Sequence, residues 1–171
     1  MGRVIRNASF SDIPAIVRLL QEAYLDTHYA KSGLAEIDEA EAKRLLLASI
    51  QRHGQRHGGA CWVQVADNGA GITGFILGTL ARVYVIGNKL MASDVFWLTS
   101  AHAEPRDAPA LMRGMLSWAW SSPHVVEARC GTTSVLRDHH DAGKILIRLG
   151  MEHYGGIYRM ERPPEVAGMK G

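Results

Sequence analysis

The segment 93–119 predicts a strand that turns directly into a helix, through a turn that contains no glycine. Its first part, 94–99, is rich in β-branched and aromatic residues, as strands are. A polar stretch with one proline follows over 102–107, and residues 108–119 have the composition of an apolar helix. Such a junction leaves unpaired N–H groups at the positive end of a helix dipole, which favours phosphate binding. Turns that bind phosphate usually contain glycines, so their absence here constrains any such site.

The rest of the chain alternates short apolar strands with amphipathic helices. Strands are predicted at 3–8, 60–66, 72–83, 90–100, 125–130 and 154–160, and helices at 13–24, 38–52, 108–119 and 135–149. The sequence DNGAG at 67–71 predicts a hairpin, and 26–34 is predicted as a loop. This order predicts one α/β domain over 1–162 with a mixed central sheet, followed by a flexible tail over 163–171.

The composition excludes several classes of function. The chain has 171 residues, of which 47% are hydrophobic and 21% charged, as in one soluble globular domain. A net charge of +2 is too small to predict binding to nucleic acid or to an acidic membrane surface. No apolar run approaches the roughly 20 residues that cross a bilayer, and residues 2–6 show no apolar signal segment. We therefore expect a cytoplasmic protein.

The sulfur and imidazole side chains predict no metal site. Cys61 and Cys130 lie in apolar, strand-like segments, which favours buried reduced thiols, with a disulfide or a nucleophilic cysteine as the alternatives. His53 and His57, followed by Cys61, have the i, i+4 spacing of metal ligands. Glycines at 54, 58 and 59 interrupt the helix that this spacing requires, so we expect no metal.

Three short sequences carry a family resemblance. They are IRNASFSDIPAI at 5–16, ILIRLGME at 145–152 and GGIYRM at 155–160. In this order they resemble the first strand and helix, the end of the last helix and the closing strand of the GCN5-related N-acetyltransferase (GNAT) family, phage-encoded members included. The resemblance covers most of residues 3–162. It implies the GNAT-like acyl-CoA N-acyltransferase fold, in which the fourth and fifth strands splay apart.

The resemblance also implies an activity. GNAT enzymes transfer an acetyl group from acetyl-CoA, their co-substrate, to an amine of a small molecule or a protein, by direct attack and without a metal. The pantetheine arm pairs with the free edge of the fourth strand, here around Leu98 and Thr99, whose N–H groups polarise the thioester carbonyl. The family resemblance makes a homodimer the expected assembly.

The turn that binds pyrophosphate in the family is degenerate in this chain. The family pattern R/Q-x-x-G-x-G/A aligns with 103–108, where Ala103 replaces the leading residue, Arg106 replaces the central glycine and Ala108 keeps the last position. Arg106, Asp107 and Ala108 are therefore the expected pyrophosphate-binding residues, with the Arg106 guanidinium in place of backbone contacts. The alternative is a solvated Arg106 paired with Glu104 or Asp107.

The catalytic residues are less well defined. Asp94 lies on the fourth strand, where GNAT enzymes often place a general base; the alternative is a strand-end carboxylate that faces water. Leu146 replaces the tyrosine that protonates the CoA thiolate in many family members, so the proton must come from another group or from water. Tyr154 and Tyr158 are the candidate donors, and the alternative for both is a place in the core or on the surface of the sheet. His139 is expected near the sulfur of the cofactor. Because of Leu146 and the glycine-free turn, the alternative function is a catalytically degenerate GNAT-fold protein that binds a ligand or another protein.

Overall fold

A computed structural model describes residues 2–132 and 139–161, which contain five strands and five α-helices. The strands are β1 (Val4–Asn7), β2 (Cys61–Asp67), β3 (Ile72–Arg82), β4 (Leu90–Thr99) and β5 (Val125–Arg129). The helices are α1 (Ile13–Leu25), α2 (His28–Ser32), α3 (Glu39–Gln51), α4 (Asp107–Trp120) and α5 (His139–Arg148), and a 3₁₀ turn, Phe10–Asp12, precedes α1. The predicted tail 163–171 lies outside the described residues. Within them, no helix is long and apolar enough to cross a membrane.

The strands form one mixed sheet in the order β1-β2-β3-β4-β5, which confirms the predicted α/β fold. Neighbouring strands from β1 to β4 are antiparallel, as expected for hairpin connections. β4 and β5 are parallel because α4 carries the chain back along the sheet between them.

Two predictions about local structure are wrong. The predicted loop 26–34 contains α2, because the side chain of Thr27 accepts a hydrogen bond from the N–H of Ala30 and Gly33, at φ +67°, ends the helix. The predicted strand 154–160 does not form. A strand needs a hydrogen-bonded neighbour, and no described residue pairs with this segment, in which Tyr158 is 98% exposed.

Helices cover both faces of the sheet, and β3 runs through the middle of the core. Phe75 contributes to the cluster that packs beneath α1 and α3. The next residue, Ile76, contributes to the cluster beneath α4 and α5. Because successive side chains of a strand point to opposite faces, a strand covered on both sides is apolar throughout, and this explains the continuous apolar run in β3.

A cluster of charged side chains joins the N-terminal strand to the start of α1. The Arg6 guanidinium donates two hydrogen bonds of 2.8 Å to the carboxylate of Asp12 and also contacts that of Asp67. Asp12 is buried and further accepts hydrogen bonds from the N–H and hydroxyl of Ser9. Arg6, followed by these Ser9 contacts, lowers the pKa of Asp12 to about 2.

We predict that the Asp12→Asn variant loses less stability on acidification than the wild-type protein does. The pKa of Asp12 is about 2, against an ordinary 3.8, so its ionised form contributes about 2 kcal/mol of stability, present above pH 3.8. That contribution is lost as the pH falls towards 2. In urea unfolding across this range, the wild-type protein should therefore lose about 2 kcal/mol more than Asp12→Asn.

Asp38→Asn is the matched control. Asp38 caps α3 from an exposed position by accepting a hydrogen bond from the N–H of Glu41. Asparagine caps a helix equally well, so this variant should keep nearly the wild-type stability at neutral pH. Equal acid sensitivity of Asp12→Asn and Asp38→Asn would contradict the assignment.

Candidate functional site: a cleft between two diverging strands

The parallel strands β4 and β5 pair for only part of their length. Their pairing runs from Leu90 opposite Val125 to Ser93 opposite Arg129, whereas β4 continues to Thr99. A bulge lies at this point, because Val95 has no partner between the pairs that β4 makes with β3 on either side. Bulges bend a strand and increase its twist. The last part of β4 therefore has a free edge, which confirms the predicted splay.

This divergence opens a cleft of about 840 Å³. Its walls are the free edge of β4, the turn that leads into α4, the first turns of α4 and α5, and the end of α1. The volume lies within the range of small-molecule sites. Polar and charged side chains in its lining are Tyr24, Asp26, Thr27, Asp94, Thr99, Ser100, Glu104, Thr132 and Asp141.

The free edge of β4 presents peptide groups to the cleft at alternate residues. The N–H of Ser100 donates a hydrogen bond to the carbonyl of Thr73, at 2.7 Å, so the peptide N–H of Ser100 points towards β3. Alternation along an antiparallel pair then turns the peptide groups of Leu98 towards β3 and those of Trp97 and Thr99 towards the cleft. Leu98 and Thr99 both line the cleft. Among the described residues, the N–H groups that face it without a strand partner are those of Thr99 and Trp97. The sequence does not reveal this register, so Trp97 was missed.

The turn before α4 is held by a charged cluster that sequence reasoning missed. Arg3 forms ion pairs with Glu104, at 2.7 Å, and with the buried Asp107. Asp107 also accepts a hydrogen bond from the N–H of Glu104. The Asp107 carboxylate is thus engaged in holding the turn, although the sequence suggested a cofactor contact. Arg3 precedes β1, so no local pattern links it to this turn.

Arg106 and Ala108 occupy different positions relative to the cleft. The Arg106 side chain is 74% exposed and its Nε lies 3.0 Å from Glu104, which corresponds to the alternative considered from the sequence. Ala108 lines the cleft, and its carbonyl accepts a hydrogen bond of 3.0 Å from the Trp97 indole. Within the described part of the chain, the N–H groups of Arg106 and Ala108 have no hydrogen-bond acceptor. The start of α4 therefore retains two N–H donors for an anion.

Asp94 lies where the two strands separate, and it lines the cleft. Its Oδ1 accepts a hydrogen bond from the N–H of Gly131, at 3.2 Å. The Asp94 side chain is half-buried, and burial raises the pKa of its carboxyl. Burial, reinforced by Asp94, raises the pKa of Cys130 to about 12, so this free thiol is protonated at neutral pH and is a poor nucleophile.

The last two site residues predicted from the sequence are Tyr154 and His139. Tyr154 is 70% exposed and does not line the cleft; its ring lies 5.1 Å from the Arg129 guanidinium. A hydrogen bond with Tyr84 raises the pKa of Tyr154, which makes it a weaker acid. His139 is the first residue of α5, close in sequence to the cleft-lining Asp141, but its side chain lies outside the described residues. Leu146 is buried in the core.

Metal ligands do not converge in residues 2–132 and 139–161, where no group of three or more His, Cys, Asp or Glu side chains could hold an ion. His53 instead accepts a hydrogen bond of 2.9 Å from the N–H of Val63. Its ring stacks on that of Trp62, and burial lowers its pKa.

Comparison with known proteins identifies the fold. No protein-family model and no curated protein match the sequence. Among solved structures, the ribosomal-protein-alanine N-acetyltransferase of Brucella melitensis biovar Abortus 2308 matches at TM-score 0.65 and 15% identity, over 95% of this chain and 100% of that chain. The glucosamine-6-phosphate N-acetyltransferase of Arabidopsis thaliana matches at 0.65 and 9%, over 96% and 100%. A transcriptional regulator of Bacillus halodurans C-125 matches at 0.68 and 15%, over 94% and 99%. The chain therefore has the GNAT fold.

We predict that Arg3→Met destabilises this protein strongly. Removing the guanidinium leaves the carboxylate of Asp107 buried without its cationic partner, which costs about 3 kcal/mol. The double variant Arg3→Met/Asp107→Asn should recover part of this loss, since it buries no unpaired charge. Urea unfolding at neutral pH measures both effects.

Arg44→Met is the control for this prediction. Arg44 pairs with Glu41 on the exposed surface of α3, and such pairs contribute little to stability. If Arg3→Met were no more destabilising than Arg44→Met, the ion pair with Asp107 would not hold the turn.

Proposed function

We propose that this protein is an N-acetyltransferase that moves an acetyl group from acetyl-CoA to an amine by direct attack. One observation carries the proposal: a free strand edge, a helix N-terminus with unpaired N–H groups and a half-buried carboxylate meet at one cleft. Solved structures with this fold include acetyltransferases named for a ribosomal protein alanine, glucosamine-6-phosphate and aminoglycosides. These acceptors share only an amine, so the fold supports the reaction type and leaves the acceptor open.

Two parts of acetyl-CoA would find complementary groups in this cleft. Its pantetheine amides alternate donor and acceptor groups and would pair with the free edge of β4 at Trp97 and Thr99. A free N–H of this edge would polarise the thioester carbonyl. The pyrophosphate would lie at the start of α4, where the N–H groups of Arg106 and Ala108 and the helix dipole favour an anion.

The turn before α4 carries two carboxylates, but its net charge does not repel a phosphate. The carboxylates of Glu104 and Asp107 are offset by the guanidinium groups of Arg3 and Arg106. Arg106 is exposed, so its guanidinium is free to turn from Glu104 towards a phosphate, which it binds with its planar fork of donors. The Asp107 side chain contributes indirectly, because it holds the turn in place.

In the reaction, the acceptor nitrogen attacks the thioester carbonyl carbon. A C–N bond forms, the C–S bond breaks and the nitrogen loses a proton, for which Asp94 is the proposed base. The thiolate takes a proton from water, since a free thiol has a pKa of about 8.5. Water is preferred to Tyr154 because the tyrosine is exposed outside the cleft and its pKa is raised. The raised pKa of Cys130 disfavours an acyl-cysteine intermediate.

Three expectations from the sequence stay predictions. They are a contact between His139 and the thiol end of the cofactor, a homodimer and a cytoplasmic location.

The test of this proposal is a calorimetric titration of the protein with acetyl-CoA, compared with Thr99→Pro and Thr99→Val. Proline removes an N–H that faces the cleft and no hydrogen bond of the β3–β4 ladder. We expect Thr99→Pro to weaken acetyl-CoA binding at least about tenfold, the cost of one or two lost hydrogen bonds. Valine keeps the N–H and the branched shape, so Thr99→Val should bind as the wild-type protein does.

Thermal unfolding of both variants provides the folding control. If Thr99→Pro and Thr99→Val bound acetyl-CoA with equal affinity and were equally stable, the free edge of β4 would not be part of the cofactor site. If the wild-type protein gave neither heat nor a thermal shift with acetyl-CoA at millimolar concentration, the transferase proposal would fail. The degenerate binding protein suggested by the glycine-free turn would then be the better interpretation.

We predict that Asp94→Asn lowers the acetylation rate about a hundredfold or more, the usual contribution of a general base, and leaves acetyl-CoA affinity unchanged. The wild-type kcat/KM should fall on acidification through the pKa of Asp94, because the base must be ionised. This acidic limb lies above the ordinary carboxyl range, since burial raises that pKa. It should be absent from the profile of Asp94→Asn. A variant profile with the same acidic limb would assign the base to another group.

A further inference from the structure

Three chain connections lie side by side at one end of the sheet. They are residues 52–60 between α3 and β2, 83–89 between β3 and β4, and 121–124 between α4 and β5. The N–H of Gly59 donates a hydrogen bond of 2.8 Å to the carbonyl of Leu80, and the N–H of Leu90 donates one of 2.9 Å to that of His124. Together with the strand ends Arg82 and Leu90, these connections form the basic end of the molecule (residues 52–60, 82–90 and 121–124).

The basic end contains four permanent cations and no carboxylate. The cations are Arg52, Arg56, Arg82 and Lys89, and all four residues are exposed. The guanidinium groups of Arg52 and Arg82 donate only to backbone carbonyls, and none of the four cations pairs with a carboxylate of the described residues. The net charge of +2 for the whole chain, with 19 basic and 17 acidic residues, conceals this local excess.

An apolar hairpin tip, residues 84–86, projects from the basic end. Its side chains Val85 and Ile86 are 82% and 86% exposed. The N–H of Gly87 donates a hydrogen bond of 2.8 Å to the carbonyl of Val83 and closes the turn around the tip. The exposure of these two aliphatic side chains is therefore a property of the folded hairpin.

The backbone of this tip is strained. Tyr84 and Val85 have φ angles of +49° and +70°, in the left-handed region that a β-branched side chain strongly disfavours. The ring of Tyr84 lies 5.2 Å from the Arg129 guanidinium, which anchors one side of the tip. Strain of this kind is concentrated at binding sites, and here it holds two aliphatic side chains in solvent. Both features favour a partner outside the chain.

We infer that the basic end docks on the surface of an anionic lipid bilayer. Val85 and Ile86 enter the boundary between headgroups and acyl chains, and the four cations bind the acidic headgroups. Aliphatic side chains favour a membrane over nucleic acid, whose bases stack on aromatic rings. A projecting tip also offers little of the roughly 800 Å² that each partner of a stable protein complex buries. Docking by this end is independent of the proposed reaction, because the other half of β4 lines the cleft.

The test is co-sedimentation of the whole protein with lipid vesicles at low and high salt. Vesicles of equal parts phosphatidylcholine and phosphatidylglycerol are the anionic probe, and vesicles of phosphatidylcholine alone are the neutral control. At low salt we expect at least about tenfold tighter binding to the anionic vesicles than to the neutral ones. High salt should remove most of this difference, because it screens the attraction between cations and headgroups.

The Val85→Asn variant tests the tip without weakening the fold. Asparagine adopts a φ of +70° more readily than valine does, so the variant should unfold at the same or a higher temperature. It should bind anionic vesicles at least about fivefold more weakly, because it removes an apolar side chain from the membrane contact. Leu25→Asn is the matched control, since Leu25 is 70% exposed at the end of α1, outside the basic end. It should bind as the wild-type protein does.

The Lys89→Gln variant tests the charge. The loss of one cation near an anionic surface should weaken vesicle binding about fivefold. Arg18→Gln is the matched control, because Arg18 is an exposed cation that lines a cavity with Asp67 and Thr73 at the opposite end of the sheet. Its binding to vesicles should stay close to that of the wild-type protein.

Two results would overturn the inference. One is equal binding to anionic and neutral vesicles, or binding by Val85→Asn and Lys89→Gln that equals that of their controls. The other is binding to polyuridylate that is tighter than binding to anionic vesicles at the same salt concentration and undiminished in Val85→Asn. That outcome would assign the basic end to nucleic acid, with no role for the apolar tip.

Discussion

The point where β4 stops pairing with β5 determines what this protein can bind. After Ser93 the peptide groups on one side of β4 have no neighbouring strand in the described part of the chain, although β4 lies inside the fold. Buried or half-buried peptide groups without partners are costly, so this edge favours water or an extended ligand. The bulge at Val95 bends β4 at the same place, and Asp94 lies beside it. One local irregularity thus produces the free edge, the cleft and the position of its carboxylate.

Side chains fix the turn before α4, which contains no glycine. Glycines in such a turn let the backbone approach an anion closely. Here Arg3 holds the buried Asp107, and Asp107 accepts the N–H of Glu104, so side chains fix the turn. The indole of Trp97 adds a hydrogen bond to the carbonyl of Ala108. The loss of the sequence motif therefore leaves the N–H groups and the dipole at the start of α4 in place.

Local sequence patterns predicted most of the strands and helices, because the features that form these elements lie in consecutive residues. The apolar run of β3 and the capped start of α3 appear in consecutive residues. The pairing of Arg3 with Asp107 and the register that turns Thr99 to the cleft depend on residues far apart in the chain, and no short pattern encodes them. Segment 154–160 shows the converse, since this strand-like sequence has no pairing strand among the described residues and forms no strand.

Among the described residues, the charged side chains that line the cleft are acidic, whereas acetyl-CoA, the proposed co-substrate, is an anion. The compensation of charge differs along the cleft, however. At the turn before α4, Arg3 and Arg106 offset the carboxylates of Glu104 and Asp107. At the fork of the strands, Asp94 has no cation beside it within the described residues. In the proposed reaction, the anionic co-substrate would therefore lie at the turn before α4, and the amine would lie beside Asp94.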